Sequence, residues 1–297
     1  MDVDKLVSLL ILGILQGAIY AMIGLGMVII YKSSKILNLT HGSIIMLVGY
    51  ITLTLTVSQG LPIWVGIPVA ILLGGIVAVL IYRLTIAPLI GQPVLSTIQM
   101  TFGLVFLLNG VAVLIWGGRF GSLPAFLPQG VWHFGGIDVS QQHFWTALIA
   151  AAMFGGLGLF LRLTKLGLGM RATAESSSIT ESVGVNVRSL FMISWVIGGF
   201  AAGVAALLLG QIYNVGLTLG PFGLTKGLPI MLLGGLESLP GVLIAGLIIG
   251  VAELFTGAYI DPLVGGGARE IVPFILMLVI LLFRPYGLFG LKEIERV

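Results

Sequence analysis

Of the 297 residues, 58% are hydrophobic and only 8% are charged, with a mean hydropathy of +1.16, which excludes an ordinary soluble globular chain and leaves an integral membrane protein. The formal charge of +3 comes from Lys and Arg at the edges of apolar runs, so it does not point to nucleic acid, and a chain without cysteine has neither disulfides nor thiolate metal sites. Charge-free runs of about 20 apolar residues suit helices crossing a bilayer, whereas barrel strands would be shorter and would alternate, so the expected fold is all-α.

The N-terminal MDVDKLVSLLILGILQ carries two acids before Lys5, and its apolar run outlasts a signal-peptide core, so it is expected to be retained as the first span, to Tyr31. Lys32 to Lys35 follow, then the short polar cluster Asn38-Leu39-Thr40-His41-Gly42-Ser43 before the apolar Ile44 to Val57. Such a cluster either caps two ordinary spans or forms a break inside the bilayer, where protein or a wet cavity must satisfy the freed backbone groups. Two further spans are expected at Pro62 to Tyr82 and Ser96 to Trp116, and the mixed stretch Gly117 to His143 reads as a loop with interfacial aromatics.

Phe144 to Leu161 is the next span, followed by the most charged stretch of the chain, LRLTKLGLGMRATAESSSITESVGVNVRSL, with Arg162, Lys165, Arg171, Glu175, Glu181 and Arg188. Leu190 to Gly210 returns to apolar sequence. Phe222 to Leu236 is apolar but rises only about 20 Å, too little for a full crossing, and predicts a discontinuous or embedded helix. Glu237 to Gly241 breaks it, Val242 to Ala258 follows, and Ile271 to Phe283 leads to a basic tail. The whole reads as one transmembrane domain over residues 1–297, a polytopic helical bundle of about eight or nine segments with one or more broken helices.

Placing the charged stretch on the cytoplasmic side puts Lys32, Lys35, Arg83, Arg162, Lys165, Arg171, Arg188, Arg284, Lys292 and Arg296 inside and only Lys5, Arg119, Lys226 and Arg269 outside. That asymmetry predicts a cytoplasmic C-terminus and an external N-terminus, on condition that Phe222 to Leu236 crosses or nearly crosses the bilayer. Among the 44 glycines, Gly13 and Gly17, Gly199 and Gly203, and Gly246 and Gly250 stand four apart on one helical face, which favours close packing within the subunit over a dedicated dimer motif.

No GxxxxGK[ST] is present, so the chain has no phosphate loop of its own, and His41, His133 and His143 have no metal-ligand spacing. Glu253 is the one acid well inside an apolar block; a structural role, snorkelling to the nearby outer end or pairing with Lys226 or Arg269, is favoured over a transport role. Transport without covalent chemistry is the reading the residues favour.

Three segments, LNLTHGSIIMLVGY, GMRATAESSSITESVGVNV and LPIMLLGGLESLPGVLIAGLIIGVAELF, closely resemble the permease subunits of bacterial branched-chain amino acid ABC importers, the LivH-type member in particular. The resemblance runs in order from about Gly17 to the RPYGLFG ending. It implies a multi-pass permease of the bacterial inner membrane for branched-chain or related small amino acids. A second homologous permease, two cytoplasmic ATP-binding-cassette ATPases and a periplasmic or lipid-anchored solute-binding protein would be its partners. The chain would bind no cofactor, ATP being used by the ATPases. Relatives for urea or amides, and a self-sufficient carrier or channel, are the alternatives.

In such families a cytoplasmic loop, here about residues 163–189, docks on an ATPase, and its pattern maps onto Arg171, Ala172, Ala174, Glu175, Ile179, Val183 and Gly184. Ala172, Ser176, Ile179 and Val183 recur at 4, 3 and 4, as one helical face would, and Gly184 suits a helix stop. The path is expected at the two broken regions: Asn38, Thr40, His41, Gly42 and Ser43, then Gly234, Gly235 and Glu237. Thr40 and Ser43 depart from the Ala and acid often found beside the His-Gly pair, three successive serines depart from a more charged or Ala-rich loop, and Glu237 adds a charge to a Gly-rich one.

Overall fold

The computed structural model describes residues 3–290. Lys292 and Arg296 of the expected basic tail lie outside them. Twelve α-helices and one β-hairpin are found among the described residues: α1 Val3–Ser34, α2 His41–Leu53, α3 Ile63–Ile81, α4 Val94–Trp116, β1 Val131–Phe134, β2 Ile137–Ser140, α5 Gln141–Leu163, α6 Lys165–Glu175, α7 Ser177–Ser182, α8 Val187–Ile212, α9 Leu219–Gly234, α10 Leu239–Tyr259, α11 Asp261–Val264 and α12 Ala268–Phe283. Seven helical stretches are long and apolar enough to cross a membrane, namely α1 to α5, α8 and α10. The 16-residue α9 and α12 extend about 24 Å each, short of the roughly 30 Å hydrocarbon core. The chain is a polytopic helical membrane protein, as its composition implies.

Packing gathers the chain into two units, one made of the chain up to Val28, Leu127–Phe154 and Lys226 onward, the other of Ile29–Phe126 and Gly155–Thr225. In the first, α1 crosses α10 backbone to backbone. A Cβ on Gly13 would lie 2.6 Å from the Val251 Cα, one on Gly17 2.6 Å from the Leu247 Cα, and one on Gly246 2.7 Å from the Gly17 carbonyl. The spaced glycines therefore serve packing inside the subunit. Lys226 of α9 and Glu253 of α10 meet in this unit at 2.7 Å, with side chains 2% and 1% exposed, so the pairing expected of Glu253 is with Lys226. Tyr20 of α1 donates its hydroxyl to the other Glu253 oxygen at 2.9 Å, and Gln16 donates to Tyr20 at 2.6 Å. Asp261 accepts the backbone N–H groups of Ala268 and Arg269, which would otherwise be orphans at the start of α12.

In the second unit α3 and α8 form a second glycine-lined crossing: a Cβ on Gly203 would lie 2.7 Å from the Ala70 carbonyl, and Gly74 and Gly199 face each other. Tyr50 stacks on Trp116 at 5.0 Å, and Trp116 donates its indole N–H to Thr54. Beyond Leu53 the α2 helix continues through a widened π-type turn, Thr54–Ser58. The hydroxyls of Thr52, Thr54 and Thr56 donate to carbonyls four residues earlier, a back-bonding that competes with the helix's own hydrogen bonds.

The stretch Gly117 to His143 is not only loop. Val131–Phe134 pairs antiparallel with Ile137–Ser140 across Gly135-Gly136, both glycines at positive φ, +55° and +93°. A two-residue Gly-Gly connection between β-prone segments is a strong hairpin signal, and it stands in the sequence.

Candidate functional site

The first predicted break is built entirely inside the second unit. After α1 the chain runs irregularly to Thr40, which precedes α2, and Asn38 accepts hydrogen bonds at its side-chain oxygen from the Thr40 backbone N–H, at 3.1 Å, and from the Thr40 hydroxyl. Asn and Thr thus turn the chain with their own side chains, as short polar residues do where helix is interrupted. Asn38, Thr40 and His41 are fully buried. The break is therefore enclosed by protein.

Gly42 allows the start of α2 to touch the start of α9, because a Cβ there would collide with the Gly220 carbonyl and approach the Leu224 nitrogen to 2.9 Å. Ser43 accepts from the Asn109 amide of α4 at 3.3 Å, and Thr101 of α4 donates to the Leu37 carbonyl at 3.1 Å. The Asn38 amide nitrogen and both His41 ring nitrogens are buried with no hydrogen-bond partner among the described residues. Asn109, Thr101, Gly220 and Gly223 belong to this polar cluster and were not singled out from sequence. Asn109 alone had a signal, as an amide in the middle of an otherwise apolar run.

The second break lies in the first unit. The α9 helix ends at Gly234, Gly235 takes φ +104°, and Ser238 caps α10 by accepting from the Gly241 N–H at 3.1 Å. Gly234 and Gly241 touch through their backbones. The RPYGLFG segment folds over this turn, with Leu288 N–H donating to the Leu233 carbonyl at 2.8 Å and Phe289 N–H to that of Gly234 at 3.1 Å. The last carbonyls of α9 are thereby satisfied. Glu237 is half-buried beside them.

The charged stretch forms two helices where the 4, 3, 4 spacing suggested one face, and this is a correction. Ser176 has extended backbone, φ −158° and ψ 109°, and its hydroxyl accepts from the Ile179 N–H, so it ends α6 and caps α7. The serine run explains this, since serine competes for backbone hydrogen bonds and favours caps over helix interiors. Gly184, at φ +85°, follows the end of α7, and Asn186 caps α8.

Met170, Thr173 and Thr180 turn inward, while Arg171, Ala172, Glu175 and Gly184 are exposed and Ala174 is half-buried. Ile179 is 67% exposed and Val183 72%, and Leu166 and Leu168 of α6 add apolar surface that the sequence pattern had not singled out. No group of three or more His, Asp or Glu able to hold a metal occurs among the described residues.

Residues 9–281 match the family described as the permease component of branched-chain amino acid transport systems. The chain is 30% identical to the high-affinity branched-chain amino acid transport system permease protein BraD of Pseudomonas aeruginosa, over 97% of each chain. It is 28% identical to the LivH permease protein of Escherichia coli over 96% of each, and 28% identical to the probable LivH permease protein of Methanocaldococcus jannaschii over 96% of this chain and 95% of that one.

Proposed function

Because this chain belongs to the family of permease components of branched-chain amino acid transport systems, we propose that it forms one half of a translocation unit in a cell inner membrane, passing branched-chain or related small amino acids. The other half is a second permease of the same kind. Two cytoplasmic ATPases supply the energy, this chain hydrolysing no ATP and binding no cofactor, and a solute-binding protein delivers the substrate. The charged stretch and the C-terminus face the cytoplasm.

The observation that carries this reading is the exposure of Ile179 on the six-residue α7 and of Val183 just past its end. A helix this short does not hold itself together in water, and Ile179 and Val183, with Leu166 and Leu168 of α6, give a hydrophilic segment several bare aliphatic side chains that a partner could cover. In the proposed mechanism an ATPase groove accepts that face. ATP binding draws the two ATPases together, and the movement reaches α8 through α6 and α7, which pack on it. The ATP-bound and ATP-free states stabilise different conformations of the pathway, which is how a remote ligand shifts an equilibrium. The buried polar cluster Asn38 to Ser43 with Asn109 is the part of this chain best suited to the path, since irregular backbone at depth needs polar company.

The test is reconstitution with the partner ATPases and binding protein. Glu175→Lys combined with Ile179→Asp should abolish ATPase co-purification and ATP-driven uptake while leaving the chain folded. Unchanged binding and uptake would remove α7 as the docking surface, and uptake by this chain alone on an ion gradient would replace the proposal with a self-sufficient carrier.

A further inference from the structure

The β1–β2 hairpin has two chemically distinct faces. Opposed residues share a face and successive residues alternate. The register Val131↔Ser140, Trp132↔Val139, His133↔Asp138, Phe134↔Ile137 therefore sorts Trp132, Phe134, Ile137 and Val139 onto one face. The other carries His133, Asp138 and Ser140 with Val131, and there the His133 Nδ1 and Asp138 Oδ1 stand 2.5 Å apart with both side chains mostly exposed. A two-stranded hairpin is at best marginally stable in water, so an all-apolar face needs something to lie against. Only part of that face is covered: Val139 is buried, but Phe134 is 61% exposed.

The position of α5 says what covers it. At 23 residues, α5 rises about 35 Å, slightly more than the hydrocarbon core, so its first turn stands at the membrane surface. Phe144 and Trp145 in that turn are exposed, and Leu148, one turn on, continues the bare apolar stripe. Trp132 of the hairpin packs edge-on against Phe144 at 5.2 Å, and Trp132 lies 6.4 Å from Phe134. The hairpin's apolar face is thus continuous with the bare apolar stripe of α5, near the end of a span, where tryptophan rings sit in membrane proteins.

We propose that the hairpin is an interfacial anchor: it lies on the bilayer with Phe134 and Ile137 among the upper acyl chains and His133 and Asp138 in the water. Its partner is the lipid surface. The anchor fixes the depth of the α5 N-terminus, a role separate from translocation and from ATPase docking.

A chain without native cysteine allows a direct test. Spin labels placed singly at Phe134→Cys, Ile137→Cys, His133→Cys and Asp138→Cys, in the full transporter in phosphatidylethanolamine and phosphatidylglycerol vesicles, report collisions with oxygen and with a water-soluble nickel chelate. The oxygen-to-nickel ratio should be several-fold higher at positions 134 and 137 than at 133 and 138. In the unlabelled transporter, quenching of tryptophan emission by brominated lipids should fall on Trp132→Phe, a reading that survives if labelling disturbs the hairpin. Nickel accessibility equal at all four positions, together with unchanged quenching in Trp132→Phe, would overturn the anchor and leave the face to a soluble partner.

Discussion

Removing the ammonium of Lys226 tests the electrostatics of the first unit most sharply. Lys226→Met keeps most of the side-chain volume but leaves the Glu253 carboxylate, 1% exposed, with the Tyr20 hydroxyl as its hydrogen-bond donor and Arg269 acting only through its field. Breaking a buried ion pair from one side costs about 3–5 kcal/mol, because the surviving charge is stranded in a poorly polarisable interior. Adding Glu253→Gln removes that charge while its amide oxygen still accepts from Tyr20, so the double variant should return to within about 1–2 kcal/mol of the parent, a hydrogen-bond-sized difference. Glu270, 3.4 Å from the same ammonium but 65% exposed, is the internal control: Glu270→Gln should cost less than about 1 kcal/mol. Unfolding in mixed detergent micelles, followed by circular dichroism and analysed as a double-mutant cycle, measures the coupling directly. Additive losses, with the double variant worse than either single one, would refute the reasoning.

The glycine crossings predict a contrast. Gly17→Ala and Gly203→Ala drive a Cβ into the opposing backbone and should each cost about 1–3 kcal/mol or more in the same unfolding assay, whereas Gly103→Ala on α4, where a Cβ meets nothing, should gain up to about 1 kcal/mol. His41→Leu leaves no ring nitrogens to be buried unpaired, so stability should hold or rise while reconstituted uptake falls; unaltered uptake would take His41 out of the path. Ser176→Ala removes the α7 cap and should cost about 1 kcal/mol locally, read as faster hydrogen exchange at Ile179 and Thr180.

Long helices were legible because lipid demands about 20 consecutive apolar residues, and nothing in soluble folding produces that pattern repeatedly. The glycine pairs were legible for a related reason: at four-residue spacing they leave a flat strip that suits a neighbouring backbone. Ser176 misled because periodicity counts side-chain positions and ignores the serine hydroxyl's claim on a backbone N–H, which splits the helix. The hairpin escaped because aromatics near a span suggest a membrane edge whatever their secondary structure, although Gly135-Gly136 was a sufficient sign. The cluster around His41 could not be assembled from the chain in order, since Asn109 and Gly220 reach it only through folding. Residue spacing carries no information about such distant partners.

At the α1–α10 and α3–α8 contacts, carbonyl oxygens of Gly17 and Ala70 face main-chain atoms of the opposite helix with no side chain between. Backbones this close gain dispersion, and helix pairs of this kind suit weak Cα–H···O contacts, each worth about 0.5–1 kcal/mol where formed. Neither depends on expelling water, which is already absent from the bilayer interior. These seams should therefore keep their strength when the surrounding lipid is exchanged, and a side chain added at a seam glycine cannot be absorbed by repacking, because the surface opposite is main chain.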